Sequence, residues 1–268
     1  MNNESRYIQA GKEKLHYLEW GNGKRLLLAF HGYEDDAEMF NPLQQYLSEE
    51  YTILSFDLPH HGKSKWSEDT QLTKQELMAL VESLKITYNV SKVSLLGYSM
   101  GGRVCLTIIA CLPASIDKVV LIASDGLTQN SYYYFFTHNY FGKKIFRNLL
   151  DRPMPYFRLM NLLKKMRLVN ASRHKFAMHF LQTEKSRKFL LHVWIGMSDI
   201  MPGPVKLRMA IRRYAIPISI FMGFYDKIIP PSMAEKFKSG LDTVQLFILE
   251  KGHRVFDNET AQQIAERF

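Results

Sequence analysis

The segment Gly97-Tyr98-Ser99-Met100-Gly101 contains the residue types that a nucleophilic serine requires. A serine hydroxyl attacks a carbonyl when a base takes its proton and when N–H groups stabilise the oxyanion that forms. The glycines two positions before and after Ser99 permit a tight turn in which a Cβ atom would clash. We therefore expect Ser99 to lie at the tip of a strand-to-helix turn, where it could perform acyl-transfer chemistry.

The elements that would position this serine follow from the apolar pattern. Continuous apolar runs are typical of strands buried on both faces, and helical segments separate most of these runs. The predicted strands are 6–10, 14–20, 26–30, 52–56, 93–96, 119–123, 218–222 and 244–249, and the predicted helices are about 37–48, 73–89, 102–112 and 232–239. The alternation predicts the α/β fold class, with a mostly parallel central sheet and helices on both faces.

The alternation stops after Asp125, and residues 126–205 have a helical, aromatic and basic pattern. This segment holds 13 Lys and Arg but only three acidic residues, so the chain's net charge of +9 comes from it. We expect residues 1–125 and 206–268 to form the core, with 126–205 inserted as a helical cap over the carboxyl ends of the strands. The cap's aromatic and basic side chains either pack and solvate the cap itself, or select an anionic or amphiphilic small molecule. Attachment of the basic cap to an anionic membrane surface stays open as a further alternative.

Polar residues follow several predicted strands, at the edge of a parallel sheet where ligands bind. Besides the serine turn, these residues are His31-Gly32-Tyr33 after strand 26–30, the segment from Asp57 to Ser64 after strand 52–56, Asp226 after strand 218–222, and His253 after strand 244–249. A serine, a histidine and a carboxylate at neighbouring strand ends could form a nucleophile, a base and an orienting acid.

This arrangement resembles the α/β-hydrolase family, and the resemblance covers nearly all of the chain except the cap. It implies that Ser99 is the nucleophile, His253 the base and Asp226 the acid, and that the backbone N–H groups of Tyr33 and Met100 form the oxyanion hole. Asp125 also lies at a strand end and stays open as an alternative acid. His31 is expected to support the oxyanion loop through hydrogen bonds.

A second local resemblance concerns the family's D-x-x-G-x-G-x-S loop. Residues Asp57 to Ser64 match it except at His60, where the family has glycine. We interpret this loop as structural.

The residues Gly97 to Val104 are also similar to the same stretch of a menaquinone-pathway lyase that eliminates pyruvate from an acidic substrate. In that enzyme an arginine just beyond the serine holds a substrate carboxylate, and Arg103 is its counterpart here. We therefore assign Arg103, with His31, to the substrate-binding side of the site. The expected function is nevertheless that of a serine hydrolase, which cleaves a carboxylic ester or related acyl bond. The lyase and a non-catalytic, ligand-binding homologue are the alternatives.

Other classes of site find little support in the sequence. No phosphate-binding or dinucleotide-binding glycine motif follows the first strands, so no organic cofactor is implied. The histidine pairs His60 with His61 and His174 with His179 lack further ligands at useful spacing, so no metal is expected. We also expect no nucleic-acid partner and no transmembrane segment. Two thiols six residues apart and no apolar leader favour a cytoplasmic protein, whose oligomeric state the sequence leaves open.

Overall fold

The apolar runs form one sheet of eight strands in the spatial order β1-β2-β4-β3-β5-β6-β7-β8. The strands are β1 (Glu4–Ala10), β2 (Glu13–Trp20), β3 (Arg25–Phe30), β4 (Tyr51–Phe56), β5 (Val93–Tyr98), β6 (Ile116–Ile122), β7 (Ile218–Gly223) and β8 (Val244–Leu249). Strand β2 runs antiparallel to β1 and to β4, and all other neighbours are parallel. The structure is a computed structural model that describes residues 4–166, 178 and 181–268.

Helices alternate with most of the strands along the chain. In the described residues they are α1 (Gln44–Leu47), α2 (Lys74–Thr87), α3 (Met100–Cys111), α4 (Ser131–His138), α5 (Tyr140–Asp151), α6 (Met154–Lys165), α7 (Glu184–Gly196), α8 (Pro204–Tyr214), α9 (Pro231–Lys238) and α10 (Asn258–Ala265), with 3₁₀ helices at Ala37–Leu43 and Pro113–Ser115. The structure confirms the predicted α/β class and the mostly parallel sheet. None of the described helices is both long enough and apolar enough to cross a membrane.

Alternation along the strands builds the two apolar layers. In β3, Leu27 and Ala29 point to the same side and belong to a buried cluster with Phe40 of the first 3₁₀ helix and Ile264 of α10. Leu28, between them, is also fully buried, and it must point to the opposite side. A strand that is buried on both faces explains why this run has no polar residue.

The parallel register aligns the strand ends that matter for the site. Phe30 at the end of β3 lies opposite Gly97 of β5, and Tyr98 at the end of β5 lies opposite Ile122 of β6. In the same way, β7 and β8 end in register. The segments that follow β3, β5, β7 and β8 therefore emerge along one edge of the sheet.

Two compact units make up the chain, one of residues 1–67, 72–129 and 199–268 and the other of 68–71 and 130–198. In the helical unit, Trp194 of α7 stacks on Phe146 of α5, with ring centroids 5.0 Å apart. Tyr133 of α4 packs edge-on against Trp194 at 5.2 Å and donates a hydrogen bond to its carbonyl. The function of 126–205 as a cap stays a prediction.

Candidate active site

Ser99 lies in the turn between β5 and α3. Its backbone has φ +49° and ψ −112°, a conformation that non-glycine residues rarely adopt. Main-chain hydrogen bonds hold it there: its N–H donates to Ile122 O at 2.9 Å, and its carbonyl accepts from the N–H groups of Gly102 at 3.0 Å and Asp125 at 2.9 Å. The hydroxyl is thus held at the N-terminus of α3, where the helix dipole favours negative charge.

Glycines allow this turn because other backbone lies almost against them. A Cβ atom at Gly97 would lie 2.6 Å from the Cα atom of Gly102, and one at Gly101 would lie 1.8 Å from the carbonyl oxygen of Phe30. Both distances are shorter than a carbon atom permits. The residue types on both sides of Ser99 are therefore a steric requirement of the turn.

A continuous chain of hydrogen bonds joins Ser99, His253 and Asp226. The Nε2 atom of His253 lies 3.1 Å from Oγ of Ser99, and its Nδ1 atom lies 2.7 Å from Oδ2 of Asp226. Because a carboxylate only accepts hydrogen bonds, the ring proton belongs on Nδ1, which leaves Nε2 to accept from the serine hydroxyl. This geometry equips His253 to act as a base toward Ser99.

The carboxylate of Asp226 is completely buried and has two further partners. Its Oδ1 atom accepts hydrogen bonds from the backbone N–H groups of Ile228 at 2.8 Å and Ile229 at 2.9 Å. The alternative acid, Asp125, has different contacts: its Oδ1 atom accepts from Gly126 N–H at 2.7 Å. The structure therefore places Asp226, not Asp125, against His253.

Arg103 on α3 forms an ion pair with Asp125. Its Nη1 atom lies 3.6 Å from Oδ2 of Asp125, and its side chain is only 6% exposed. A buried guanidinium that already faces a carboxylate is poorly placed to receive a second one from a substrate. The structure therefore gives the assignment of Arg103 to substrate binding no support.

The loop after β3 is held by His31, which is fully buried. Its Nε2 atom accepts a hydrogen bond from Leu58 N–H at 3.0 Å, so the ring proton is on Nδ1 and is donated to Gly32 O at 2.6 Å. The carbonyl of Gly32 and the N–H of Tyr33 belong to one rigid peptide plane. By fixing one, His31 fixes the direction of the other. Both ring nitrogens contact main chain, so the geometry favours loop support and leaves neither nitrogen for substrate.

His61 holds the same loop one residue further on. Its Nδ1–H donates to Pro59 O at 2.9 Å, and its Nε2 atom accepts from Glu34 N–H at 3.3 Å. Burial lowers the pKa of His61 to about 4, and burial together with the neighbouring His61 ring lowers the pKa of His31 to about 3. Both rings are therefore neutral near pH 7, as these hydrogen bonds require. The expected oxyanion donor, Tyr33 N–H, lies between these two supports.

The other expected oxyanion donor is the N–H of Met100. Met100 is the first residue of α3, and the first N–H groups of a helix have no partner within the helix. This N–H is one peptide beyond the nucleophile, so it lies close to any group bonded to Ser99. Together with the N–H of Tyr33, it has the character that an oxyanion hole needs.

The loop from Asp57 to Ser64 has glycine-like backbone angles at two positions, one of which is His60. His60 has φ +66°, the left-handed conformation that glycine adopts most easily, and Gly62 has φ +50°. Position 60 therefore has a histidine in place of the glycine of the sequence pattern, but its φ angle is one that glycine adopts. A non-glycine residue with a positive φ has a strained backbone, so the loop is strained at His60.

Asp57 belongs to a second chain of serine, histidine and aspartate. Its Oδ2 atom lies 2.7 Å from Nδ1 of His16, and Nε2 of His16 lies 2.8 Å from Oγ of Ser5. Ser5 is in strand β1, however, and not at the N-terminus of a helix. Asp57 also accepts from the N–H groups of Ala37 and Lys63, both at 2.7 Å. Its many main-chain contacts agree with the predicted structural role of this loop.

The core unit has a cavity of about 310 Å³ whose lining includes the sequence neighbours of Ser99 and His253 but none of Ser99, His253 and Asp226 themselves. Its lining combines four carboxylates with one guanidinium and several apolar groups: Glu34, Asp35, Asp36, Met39, Pro42, Tyr98, Arg254, Phe256 and Asp257. Burial raises the pKa of Asp35 above its ordinary value. The excess of carboxylates makes this cavity unfavourable for a polyacidic molecule.

One supporting residue was not predicted. The hydroxyl of Tyr98 donates a hydrogen bond of 3.2 Å to the carbonyl oxygen of His253, and the two rings lie 5.7 Å apart. Tyr98 therefore ties the loop that carries His253 to the strand that precedes Ser99. The sequence signal was present, because an aromatic residue directly before the serine can reach a neighbouring strand end, but its partner lies 155 residues away.

Comparison with known proteins agrees with this architecture. The uncharacterized hydrolase YugF of Bacillus subtilis is 25% identical over 259 residues, which cover 94% of this chain and 92% of the relative. An esterase from Thermogutta terrifontis has a TM-score of 0.66 at 14% identity, covering 99% of this chain and 96% of its own. The 2-hydroxy-6-oxo-6-phenylhexa-2,4-dienoate hydrolase of a Rhodococcus strain has a TM-score of 0.65 at 19% identity, covering 100% and 99%. At such identities the two structures show similarity of fold alone.

The family model of the alpha/beta hydrolase fold matches residues 25–259. This match includes all three members of the hydrogen-bonded chain and the loops that support them. The protein therefore belongs to the alpha/beta hydrolase fold family and is an enzyme of hydrolase type.

Proposed function

We propose that the protein hydrolyses a carboxylic ester, or a related acyl bond, through an acyl-enzyme formed on Ser99. The observation that carries the proposal is the hydrogen-bond chain from Ser99 through His253 to Asp226. It starts at a strained serine at the N-terminus of a helix and ends at a buried carboxylate. Nucleophile, base and orienting acid are thus in contact before any substrate binds.

In the first half of the reaction, Oγ of Ser99 attacks the ester carbonyl while its proton moves to Nε2 of His253. The carbonyl oxygen becomes an oxyanion, which the N–H groups of Met100 and Tyr33 stabilise. The tetrahedral intermediate then expels the alcohol as its C–O bond breaks, and His253 returns the proton to that leaving oxygen. Asp226 stabilises the imidazolium throughout and keeps the ring in one tautomer.

In the second half, a water molecule attacks the acyl-Ser99 carbonyl. His253 takes a proton from this water, and the same two N–H groups stabilise the second oxyanion. The carboxylic acid leaves as the bond to Oγ breaks, and His253 returns the proton to Ser99. The chain needs only water as its second substrate.

The alternatives have less support. Pyruvate elimination from an acidic substrate calls for a cation at Arg103, but that guanidinium faces Asp125. A non-catalytic binding module does not require Ser99, His253 and Asp226 to be within hydrogen-bond reach, yet they are. Both observations favour the hydrolase.

The test uses short p-nitrophenyl esters and a fluorophosphonate probe. We expect the wild type to release nitrophenol and to bind the probe covalently on the peptide that contains Ser99, and Ser99→Ala to lose both activities. Ser5→Ala is the matched control, because Ser5 also contacts a histidine–aspartate pair. Full activity of Ser99→Ala, or labelling of Ser5 in place of Ser99, would overturn the proposal.

A second variant separates hydrolase from lyase. With the hydrolase, Arg103→Met should lower stability but leave kcat/KM for a neutral ester within a few-fold of the wild type, because the guanidinium touches Asp125 and not the ester. With the lyase, the same change should abolish turnover of an acidic substrate while the protein stays folded. Circular dichroism on the same preparation shows whether the fold is intact.

A further inference from the structure

The helical unit exposes a concentration of large apolar side chains that its own packing does not explain. Ten such side chains lie between residues 131 and 166, whereas the other 11 are spread over the remainder of the described chain. The ten are Tyr132, Tyr134, Phe135, Tyr140, Phe141, Ile145, Met154, Leu159, Leu162 and Met166. We call these residues the apolar surface of α4–α6. Exposed apolar groups at this density mark an interaction site more often than a solvated face.

Helix α6 is the clearest part of this surface. None of its residues from Met154 to Lys165 is buried, although most of them are apolar. At the helical spacing of three and four residues, the exposed Leu159, Leu162 and Met166 share one face, and Arg158 and Lys165 lie beside it. Such a helix gains most of its stability when its apolar face is buried against another apolar surface.

Helix α5 has two faces with different roles. One face buries Phe146 and Leu150 inside the helical unit, where Phe146 stacks on Trp194. The other face turns outward with Phe141, which is 69% exposed, and Ile145 beside it. Within the described part of the unit, the outward residues therefore take no part in this packing and stay exposed.

The charge around this surface is almost entirely positive. Between residues 131 and 166 there are seven basic residues and a single acid, Asp151; the basic residues are Lys143, Lys144, Arg147, Arg152, Arg158, Lys164 and Lys165. Apolar residues interleaved with Lys and Arg are the pattern of helices that lie in the interface of an anionic bilayer. Tyr and Lys also suit this position, since their apolar stems can enter the lipid while their polar ends stay among the headgroups.

We propose that the apolar surface of α4–α6 binds the surface of an anionic lipid bilayer, with α6 lying in the interface. A second copy of the chain is disfavoured as the occupant because two sets of seven positive charges would face each other. Nucleic acid would use the basic residues and the aromatic rings but would leave the aliphatic half of the surface in water, namely Ile145, Met154, Leu159, Leu162 and Met166. A bilayer supplies both the negative charge and the apolar phase. This binding does not depend on the triad or on the proposed ester hydrolysis.

The experiment measures sedimentation of the full chain with vesicles of pure phosphatidylcholine and of phosphatidylcholine mixed with phosphatidylglycerol. We expect binding to the mixed vesicles only, and less of it at high salt, because salt screens the headgroup charge. Leu159→Glu/Leu162→Glu and Lys164→Glu/Lys165→Glu should each lower the partition coefficient by about tenfold or more. All four positions are exposed, so thermal unfolding of these variants should match the wild type.

Two matched controls lie on the core unit. Ile86 is 80% exposed on α2, and Lys236 and Lys238 are exposed on α9. We expect Ile86→Glu and Lys236→Glu/Lys238→Glu to bind vesicles within about twofold of the wild type, because the lipid attraction is local. Ser99→Ala should bind normally, which separates this proposal from the proposed function.

Several outcomes would overturn the proposal. One is a wild type that does not sediment with the mixed vesicles, and another is a control variant that loses as much binding as the α6 variants. A third is a wild-type dimer in sedimentation velocity that Leu159→Glu/Leu162→Glu converts to monomer, with no vesicle binding, which would assign the surface to a second copy. Retention on a nucleic-acid column in place of vesicles would assign it to that polymer.

Discussion

Asp226 turns one carboxylate oxygen toward Nδ1 of His253, at 2.7 Å, and the other toward two backbone N–H groups. The two oxygens therefore have separate tasks. The N–H groups of Ile228 and Ile229 set the orientation of the carboxylate, and the remaining oxygen sets the tautomer of the imidazole. An amide at this position could satisfy only one of the two tasks correctly.

Asp226→Asn should accordingly inactivate the enzyme without unfolding it. The backbone N–H groups will keep the amide oxygen, so the NH₂ group will face His253 and donate to Nδ1. The ring proton then moves to Nε2, which can no longer accept from Ser99, and we expect kcat to fall by about 10⁴-fold. Steady-state kinetics with a p-nitrophenyl ester measures this effect. Asp125→Asn is the control, and a larger loss in that variant would contradict the assignment.

The turn at Ser99 should not tolerate a methyl group at Gly101. A Cβ atom there would lie 1.8 Å from the backbone oxygen of Phe30, and neither backbone can move without disturbing β3 or α3. We expect Gly101→Ala to lower the free energy of unfolding by about 3 kcal/mol or more, or to prevent folding. Gly252→Ala is the matched control, because no atom lies within 4 Å of the position of its Cβ. Urea unfolding of the two variants compares them, and equal stabilities would refute this account of the turn.

The neutral histidines His31 and His61 should make the fold sensitive to acid. Their folded pKa values, about 3 and about 4, lie below the ordinary value of 6.5, so below that pH the unfolded chain binds protons that the folded chain does not. Stability is therefore complete above about pH 6.5 and is lost as the pH falls. Between about pH 7.5 and about pH 5.5, we expect the two residues together to lower the free energy of unfolding by about 2 to 3 kcal/mol.

Urea unfolding across this pH range, for the wild type and His61→Phe, provides the test. The variant should be less stable near pH 7 because it loses two main-chain hydrogen bonds, but its pH dependence should be shallower by the contribution of one histidine. A wild type whose stability does not change between these two pH values would argue against neutral, buried rings. Because His61 holds the N–H of Glu34, beside Tyr33, the variant should also lower kcat more than it changes KM.

His60 offers a test of stored strain. Its φ of +66° suits glycine, so His60→Gly should leave stability within about 1 kcal/mol of the wild type or raise it slightly. His60→Val should lower it by about 1–2 kcal/mol, because a β-branched residue resists this conformation. Thermal unfolding distinguishes the two variants. If valine were tolerated as well as glycine, the loop would not be under the strain that its backbone angles indicate.

Most strands that are marked by an unbroken apolar run were predicted to within a residue or two. Strand β6 is the exception, and it shows what an apolar run cannot predict. It starts at Ile116 and not at residue 119, because Asp117 and Lys118 are polar. Asp117 can enter the strand because Arg25 of β3 donates to it at 2.6 Å. A contact between residues 92 positions apart is invisible in a local pattern.

Two helices of the core were missed although their sequences contained the signal. Helix α8 buries Leu207, Ala210 and Ile211 at the helical spacing of three and four residues. Helix α10 follows the N-cap residue Asp257, which forms a reciprocal capping box with Thr260. The helical unit also differs from the predicted segment 126–205, since it comprises 130–198 with 68–71, and the side chain of Gln71 donates to Ser198 within it.

The order of the site residues was predictable because each follows its own strand, and a parallel sheet brings such strand ends to one edge. The hydrogen bonds that support the site could not be predicted in this way. Neither the hydrogen bond from Tyr98 to the loop of His253 nor the role of His61 follows from the spacing of residues in the sequence. These contacts depend on how two loops from distant parts of the chain pack. A sequence motif can indicate which residues form the site, whereas the residues that orient them are found only in the structure.

The chain from Ser5 through His16 to Asp57 has almost the same side-chain distances as the chain from Ser99 to Asp226. A search template built from those three side chains alone would therefore match this protein twice. Only the main chain tells the two matches apart, since one serine is at a helix N-terminus and the other is within an edge strand. For this fold, an identifying template must include the peptide groups beside the serine, because they distinguish a hydroxyl at a helix N-terminus from one in an edge strand.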